Sequence, residues 1–302
     1  FCTPPPAPSH KVHYLSSRWT SSVQRVFDCY YPGRGFPSVS TTGRSCSLNC
    51  KHCAGRYLEG MVPATGPDEL LSFARALAES GGSGLLLSGG SDPAGRVRLD
   101  RFVPAIREIK DSTPLKINAH VGLTPRGELE SLVASGVDTF SVDVYGDDET
   151  VREVLGVSAG AQDYIGVVRD LIDLGAEVAP HICVGIRGGR TGHEHDAVRA
   201  VARLAPKTLV FISFIPTRGT AYESCPAPRG EDVVSVIRGA RSALPGTRLL
   251  LGCMRSKRDR SWEVDALRAG LDGMVLPSDE TVRAASALGY AIRKKGTCCA
   301  LA

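Results

Sequence analysis

The chain lacks any large surplus of charge. Its 36 basic and 32 acidic residues leave a net charge of +4, too mild to argue for nucleic acid and compatible with an acidic protein partner. No run approaches 18 apolar residues, which excludes a transmembrane helix. Residues Phe1-Cys2-Thr3-Pro4-Pro5-Pro6 lack the charged start and apolar middle of a signal peptide. A cytoplasmic protein is therefore expected, with neither membrane nor nucleic acid as partner. A chain that is 42% hydrophobic and 23% charged is also not disordered, collagenous or a coiled coil. At 302 residues it could form two domains of about 150 residues or one alternating α/β barrel. Such a length buries roughly 75% of the unfolded surface, so the core needs neither disulfides nor a structural metal.

Cysteine is what the chain does have. Ten stand at positions 2, 29, 46, 50, 53, 183, 225, 253, 298 and 299. Without an export signal, thiolate chemistry or metal binding is favoured over a disulfide framework.

After residue 37 one unit repeats. Short apolar runs occur at 38–42, 85–88, 115–119, 139–144, 178–184, 209–215, 249–252 and 274–276, with amphipathic stretches between them. In Asp68–Ser80, the residues Leu70, Leu71, Ala74, Leu77 and Ala78 recur at three- and four-residue spacing, as one buried helix face requires. Gly136, Gly175 and Gly270 punctuate the passages from helix to strand. Strands alternating with helices demand parallel pairing and right-handed crossovers. Eight such strands predict an α/β fold, a (β/α)8 TIM-type barrel, full or nearly full, over residues 38–289. An open or six-stranded partial barrel is the structural competitor. An irregular N-terminal arm (1–37) and a cysteine-bearing C-terminal tail (290–302) flank it. In a barrel, function resides at the C-terminal strand ends.

The first strand runs into Gly43-Arg44-Ser45-Cys46-Ser47-Leu48-Asn49-Cys50-Lys51-His52-Cys53. Three thiolates in such a loop can close around one soft metal centre. A [4Fe–4S] cluster held by three cysteines leaves one iron open to a small molecule. Zinc would want a fourth ligand, and His52, adjacent to Cys53, is poorly placed to provide it. The Cys46-x3-Cys50-x2-Cys53 spacing, with an aromatic residue before the third cysteine, resembles the signature of radical S-adenosylmethionine (SAM) enzymes. The resemblance implies that Cys46, Cys50 and Cys53 bind a [4Fe–4S] cluster whose open iron chelates SAM. Reductive cleavage would then yield a 5′-deoxyadenosyl radical.

Other strand ends carry supporting features. Gly89, Gly90, Ser91 and Asp92 are similar to the family's glycine turn that meets the SAM amino group, though Ser91-Asp92 replaces the more usual Glu-Pro. Asp143 stands where family members place ribose-binding residues. An inward charge in an apolar strand needs a ligand or a paired cation. Pro216-Thr217-Arg218-Gly219-Thr220 resembles a turn of biotin-synthase-like members, which makes Pro216 a candidate contact. His120 and His181, also in or at the ends of strands, are candidates for touching SAM or substrate.

Cys253 closes the seventh predicted strand, and Cys298 and Cys299 lie in the tail. If the tail rises again, these three thiolates could hold a second cluster; a vicinal disulfide or incidental thiols are the alternatives. Phe36–Ser40, Asn49–Cys53, Met61–Thr65, Pro180-His181 and Thr297–Leu301 look like the biotin-synthase-related subgroup that contains one subunit of two-component lipoyl synthases. That likeness implies a sacrificial auxiliary [4Fe–4S] cluster on Cys253, Cys298 and Cys299, donating sulfur to a protein-bound octanoyl-lysine. The implied partners are an octanoylated lipoyl-carrier domain or glycine-cleavage H-type protein, a related synthase subunit, and an electron donor such as ferredoxin. Arg255 would be an orienting residue or ligand by loose analogy, or else an exposed loop arginine. Cys225 and Cys29 could reach the mouth as a fourth ligand, whereas Cys183 reads as a core thiol. Two rivals remain: a radical SAM methylase or mutase whose second cluster is structural, and a non-catalytic metal or redox-sensing protein.

Overall fold

The computed structural model describes residues 25–302; Cys2 and the Pro4–Pro8 stretch of the arm lie outside them. The strands are β1 (Val26–Tyr30), β2 (Ser38–Ser40), β3 (Val62–Pro63), β4 (Gly84–Ser88), β5 (Lys116–His120), β6 (Thr139–Asp143), β7 (Val178–Val184), β8 (Thr208–Ser213), β9 (Arg248–Leu251), β10 (Gly273–Val275) and β11 (Ala291–Lys295). The helices are α1 (Pro67–Glu79), α2 (Val103–Ser112), α3 (Arg126–Ala134), the single turn α4 (Asp148–Thr150), α5 (Ala161–Asp173), α6 (Glu194–Ala202), α7 (Gly230–Ala243), α8 (Glu263–Arg268) and α9 (Asp279–Ala287). Each apolar run is a strand, and each amphipathic stretch forms a helix. Gly136, Gly175 and Gly270 sit at φ 91°, 74° and 114°, the left-handed exits their positions required. Helix α1 starts where Pro67 is pre-set for the first turn and the Glu69 carboxylate accepts from the Gly66 amide at 3.3 Å.

The strands form one parallel sheet in the order β11-β1-β10-β9-β8-β7-β6-β5-β4-β2-β3. The expected ring closure is not found. Strand β2 pairs with β3 and β4, while β10 pairs with β9 and β1, so among the described residues β2 and β10 do not meet. The physical reason is that arm and tail supply strands of their own. β1, inside the arm read as irregular, inserts between β10 and β11 and occupies the edge that would have closed the ring.

Alternation along the strands separates two faces. Ile117, Ala119, Phe140, Val142, Ile182 and Phe211 pack outward with the helices in the main core. The inner face holds Tyr30, Ala179, Val210, Leu250 and Val275, which surround Cys299 and Ala300 of the tail. No helix among the described residues is long and apolar enough to cross a membrane.

Candidate active site

The cysteine loop leaves the C-terminal end of β2 and is fastened on three sides. The Lys51 amide donates to Val154 O at 2.9 Å, and Lys51 O accepts from the Tyr222 amide at 3.1 Å. Val154 lies in a π-helical turn, Val151–Leu155, a local form that recurs at functional sites. Glu153 of that turn accepts from Arg187 at 2.8 Å, Arg190 at 2.9 Å and the Tyr222 hydroxyl at 2.9 Å. The third anchor is the glycine turn after β4. A β-carbon on Gly90 would stand 1.9 Å from Ser45 O and 2.6 Å from Cys46 Cα. Glycine is thus required there by the cysteine loop itself.

Within the loop, donor atoms of Cys50, His52 and Cys53 lie within 4.8 Å of one another. His52 therefore comes closer than its adjacency to Cys53 suggested, because the tight turn at 50–54 folds it back, with the Ala54 amide bonded to Cys50 O at 2.9 Å. Cys46 stands apart from that trio, its thiol donating weakly to Ser91 O at 3.9 Å. The Cys53 thiol is pushed down to about 4, chiefly by the hydrogen bond from Cys50 and then by His52, against desolvation. Cys50 is pushed up by that same bond and by burial. Two thiols and an imidazole crowded into one tight turn are a donor set suited to a metal centre. Cys46 lies on the same loop, and the three thiols it completes fit a cluster with one open iron.

The residues expected to contact SAM fare differently. Gly89 and Gly90 are at the site, and the Ser91 carbonyl bonds the Ser47 amide at 2.8 Å. Asp92 is already engaged: its carboxylate accepts from the Ala94 amide at 2.9 Å, the Arg96 amide at 3.0 Å and Arg96 Nε at 2.8 Å. Pro216 is half-buried and precedes Thr217, whose hydroxyl meets Tyr57 OH at 3.2 Å. Asp143 is paired by a histidine rather than by Arg or Lys, with His120 Nε2 3.3 Å from its Oδ2.

The tail does return to the strand interior. Ser83 Oγ donates to Gly296 O at 2.9 Å, and the last turn, Cys299–Leu301, touches β6, β8 and β10. Asn118 Nδ2 donates to Cys298 Sγ at 3.5 Å, and its Oδ1 accepts from Ser141 Oγ at 2.9 Å. The Cys298 thiol is lowered to about 7, mainly by the hydrogen bond from Cys299, whose own thiol is raised. Cys253 is raised by desolvation and next by the charge of Cys298. Cys253 follows the end of β9 and is exposed, whereas in the tail Cys298 is half-buried and Cys299 buried.

Other expectations are corrected. Arg255 is neither an exposed loop residue nor aimed at the thiols. It is 1% exposed, with Nη2 2.8 Å from Glu263 Oε1 and bonds to Gly252 O at 2.6 Å and Val275 O at 2.8 Å. A guanidinium this deep is there to cross-brace the β9 and β10 ends. Cys29 is fully buried in the main core and does not reach the mouth. Cys225 packs against Gly188, and Cys183 is half-buried beside the cluster of Cys50 and Tyr145. Sequence reasoning missed Asn118. Its signal was available: polar residues two apart in apolar strands, Asn118/His120, Ser141/Asp143 and His181/Cys183, all face one side.

Comparison with known proteins adds the family. Residues 40–204 match the family model described as the radical SAM superfamily. No curated protein matches the chain by sequence. Among solved structures, HydG, a maturase of the [FeFe]-hydrogenase, aligns with a TM-score of 0.63 at 16% identity, covering 89% of this chain and 64% of that one. The chain thus spans less than two thirds of HydG. Methylornithine synthase (PylB) aligns at 0.61 and 19% identity over 89% and 84% of the two chains. The HMG-CoA lyase from Brucella melitensis aligns at 0.55 and 11% identity over 89% and 93%. Identities this low show the fold alone.

Proposed function

The chain belongs to the radical SAM superfamily, and on that premise we propose that it is a sulfur-inserting enzyme, one subunit of a two-component lipoyl synthase. Cys46, Cys50 and Cys53 would hold the [4Fe–4S] cluster, which when bound supplies the electron for homolytic cleavage of SAM. The Gly89-Gly90 turn packs the loop, so SAM would meet its backbone rather than the Asp92 carboxylate, which Arg96 already holds. Cys253, Cys298 and Cys299 would hold the auxiliary cluster, and Asn118 would donate to one of its thiolates. The substrate would be an octanoyl-lysine on a carrier domain such as an H-type protein, with a ferredoxin-like electron donor.

The observation that supports this reading is the return of the tail to the sheet interior, where Cys299 and Ala300 pack among inner-face residues with Cys298 beside them. Incidental thiols on a free tail would not be drawn into a lumen lined by Ala179, Val210 and Leu250. Anaerobic reconstitution with iron and sulfide tests it: two cubane clusters require about eight irons per chain. Replacing Cys298 and Cys299 by Ala should leave about four and abolish thiolation of an octanoyl-lysine peptide while 5′-deoxyadenosine still forms. An unchanged iron content would remove the second cluster. The iron would then favour a radical SAM enzyme of other chemistry.

A further inference from the structure

The lumen carries a polar layer that neither thiol group uses. His120, Asp143 and His181 stand at or near the C-terminal ends of the adjacent strands β5, β6 and β7. Asp143 is in register with His181, and His120 is in register with Ser141. Below them lies the Asn118–Ser141–Cys298 chain. Above them, Cys183 follows His181 by two residues on the same face and packs against the cluster that holds Cys50. The layer therefore lies between the tail thiols and the cysteine loop.

Its members are oriented but not consumed. His120 Nε2 faces Asp143 Oδ2 at 3.3 Å, and the two histidine rings meet edge to face at 6.4 Å. His181 Nδ1 lies 2.9 Å from Ala179 O. A carbonyl only accepts, so this nitrogen carries the proton and Nε2 keeps its lone pair. None of these three side chains has a sealed, unsatisfied atom. The remaining valences of His120 Nδ1, Asp143 Oδ1 and His181 Nε2 thus open on the lumen. Three polar groups here add nothing to the packing of the sheet on its helices, and their burial is costly unless a ligand uses it.

We propose that these residues form an acid–base site for the substrate, in which His120, held by Asp143, protonates the newly formed thiolate and His181 Nε2 accepts a hydrogen bond from the substrate. The inference rests on the sulfur-insertion reading above. In the step, the N–H bond of the imidazolium breaks and an S–H bond forms, R–S⁻ plus imidazolium giving R–SH plus neutral imidazole, with no change in electron count. Asp143 is a positioning residue that keeps the imidazolium charged. Desolvation works against that charge, but the carboxylate outweighs it and lifts the His120 pKa above its ordinary value. The groups around the pair are His181 on its own face of β7, His52 from the cysteine loop, and Tyr145, Tyr164 and Cys183, all of which feel Asp143.

The test uses the reconstituted full chain with SAM, reductant and an octanoyl-lysine peptide, reading 5′-deoxyadenosine and peptide thiol separately. Histidine ¹⁵N resonances are followed in parallel in the protein as purified. Asp143→Asn should lower the ratio of thiol released to 5′-deoxyadenosine formed by roughly a hundredfold. It should also move the alkaline fall of thiol release, and the His120 titration seen by NMR, to lower pH. Loss of 5′-deoxyadenosine in step with thiol would overturn the proposal, since the residues would then be serving SAM. Normal thiol release by Asp143→Asn would overturn it while leaving the functional reading intact. A wild-type chain that makes 5′-deoxyadenosine but no thiolated peptide would overturn both.

Discussion

Removing one carboxylate at the base of the sheet should release the tail. Asp28 on β1 is fully buried and central to three cations. It accepts from Arg293 Nε at 2.5 Å and Nη2 at 2.8 Å and from Arg248, and Lys295 Nζ stands at 3.4 Å. Burial works against its charge, yet these partners hold its pKa well below the carboxylate range. Arg293 and Lys295 belong to β11, the strand that carries Cys298 and Cys299 into the lumen. Asp28→Asn keeps the shape but leaves three positive charges facing one another. Breaking a buried pair costs about 3–5 kcal/mol; because the cations are partly open to water, about 3 kcal/mol is expected here. For a chain of this size that lowers Tm by on the order of 5 °C. The same variant should speed maleimide labelling of Cys299, which is 4% exposed, measured by anaerobic mass spectrometry. An unchanged Tm together with parental labelling kinetics would refute the idea that this charge cluster fastens β11 and the tail.

Further outcomes follow from other particulars. Gly90→Ala must displace Ser45 and Cys46, so reconstituted iron should fall while circular dichroism stays native, at a stability cost of about 1–3 kcal/mol. Glu263→Gln should cost about 3–5 kcal/mol in urea unfolding, because Arg255 stays buried without its counter-charge. The double replacement Arg255→Met with Glu263→Gln should be the milder variant. Desolvation lowers His181 to about 4. Between its ordinary value and about 4 the unfolded chain therefore binds more protons, and stability falls as pH drops through that window. His181→Asn should flatten that part of a stability–pH curve, and a curve of undiminished slope would assign the loss to other groups.

What the sequence made legible was local. The eight strand–helix units followed from period-two and period-3.6 patterning, and the cysteine loop from three thiols at fixed spacing. Both reside in stretches short enough for chemistry and periodicity to be read together. Arg255 misled because its partners lie elsewhere in the loops. It is absorbed by Glu263 and two strand-end carbonyls.

The sequence by itself determined that the chain alternates strands and helices in parallel and bears a metal-binding loop after β2. Only the tertiary structure decided that β1 and β11 extend the sheet instead of letting it close. It also decided that the tail returns to the sheet interior and that three polar strand ends share its inner face. Those outcomes depend on pairings between residues more than a hundred positions apart, such as Asp28 with Arg248 and Asn118 with Cys298. Periodicity records which face a residue takes, not which distant residue shares that face.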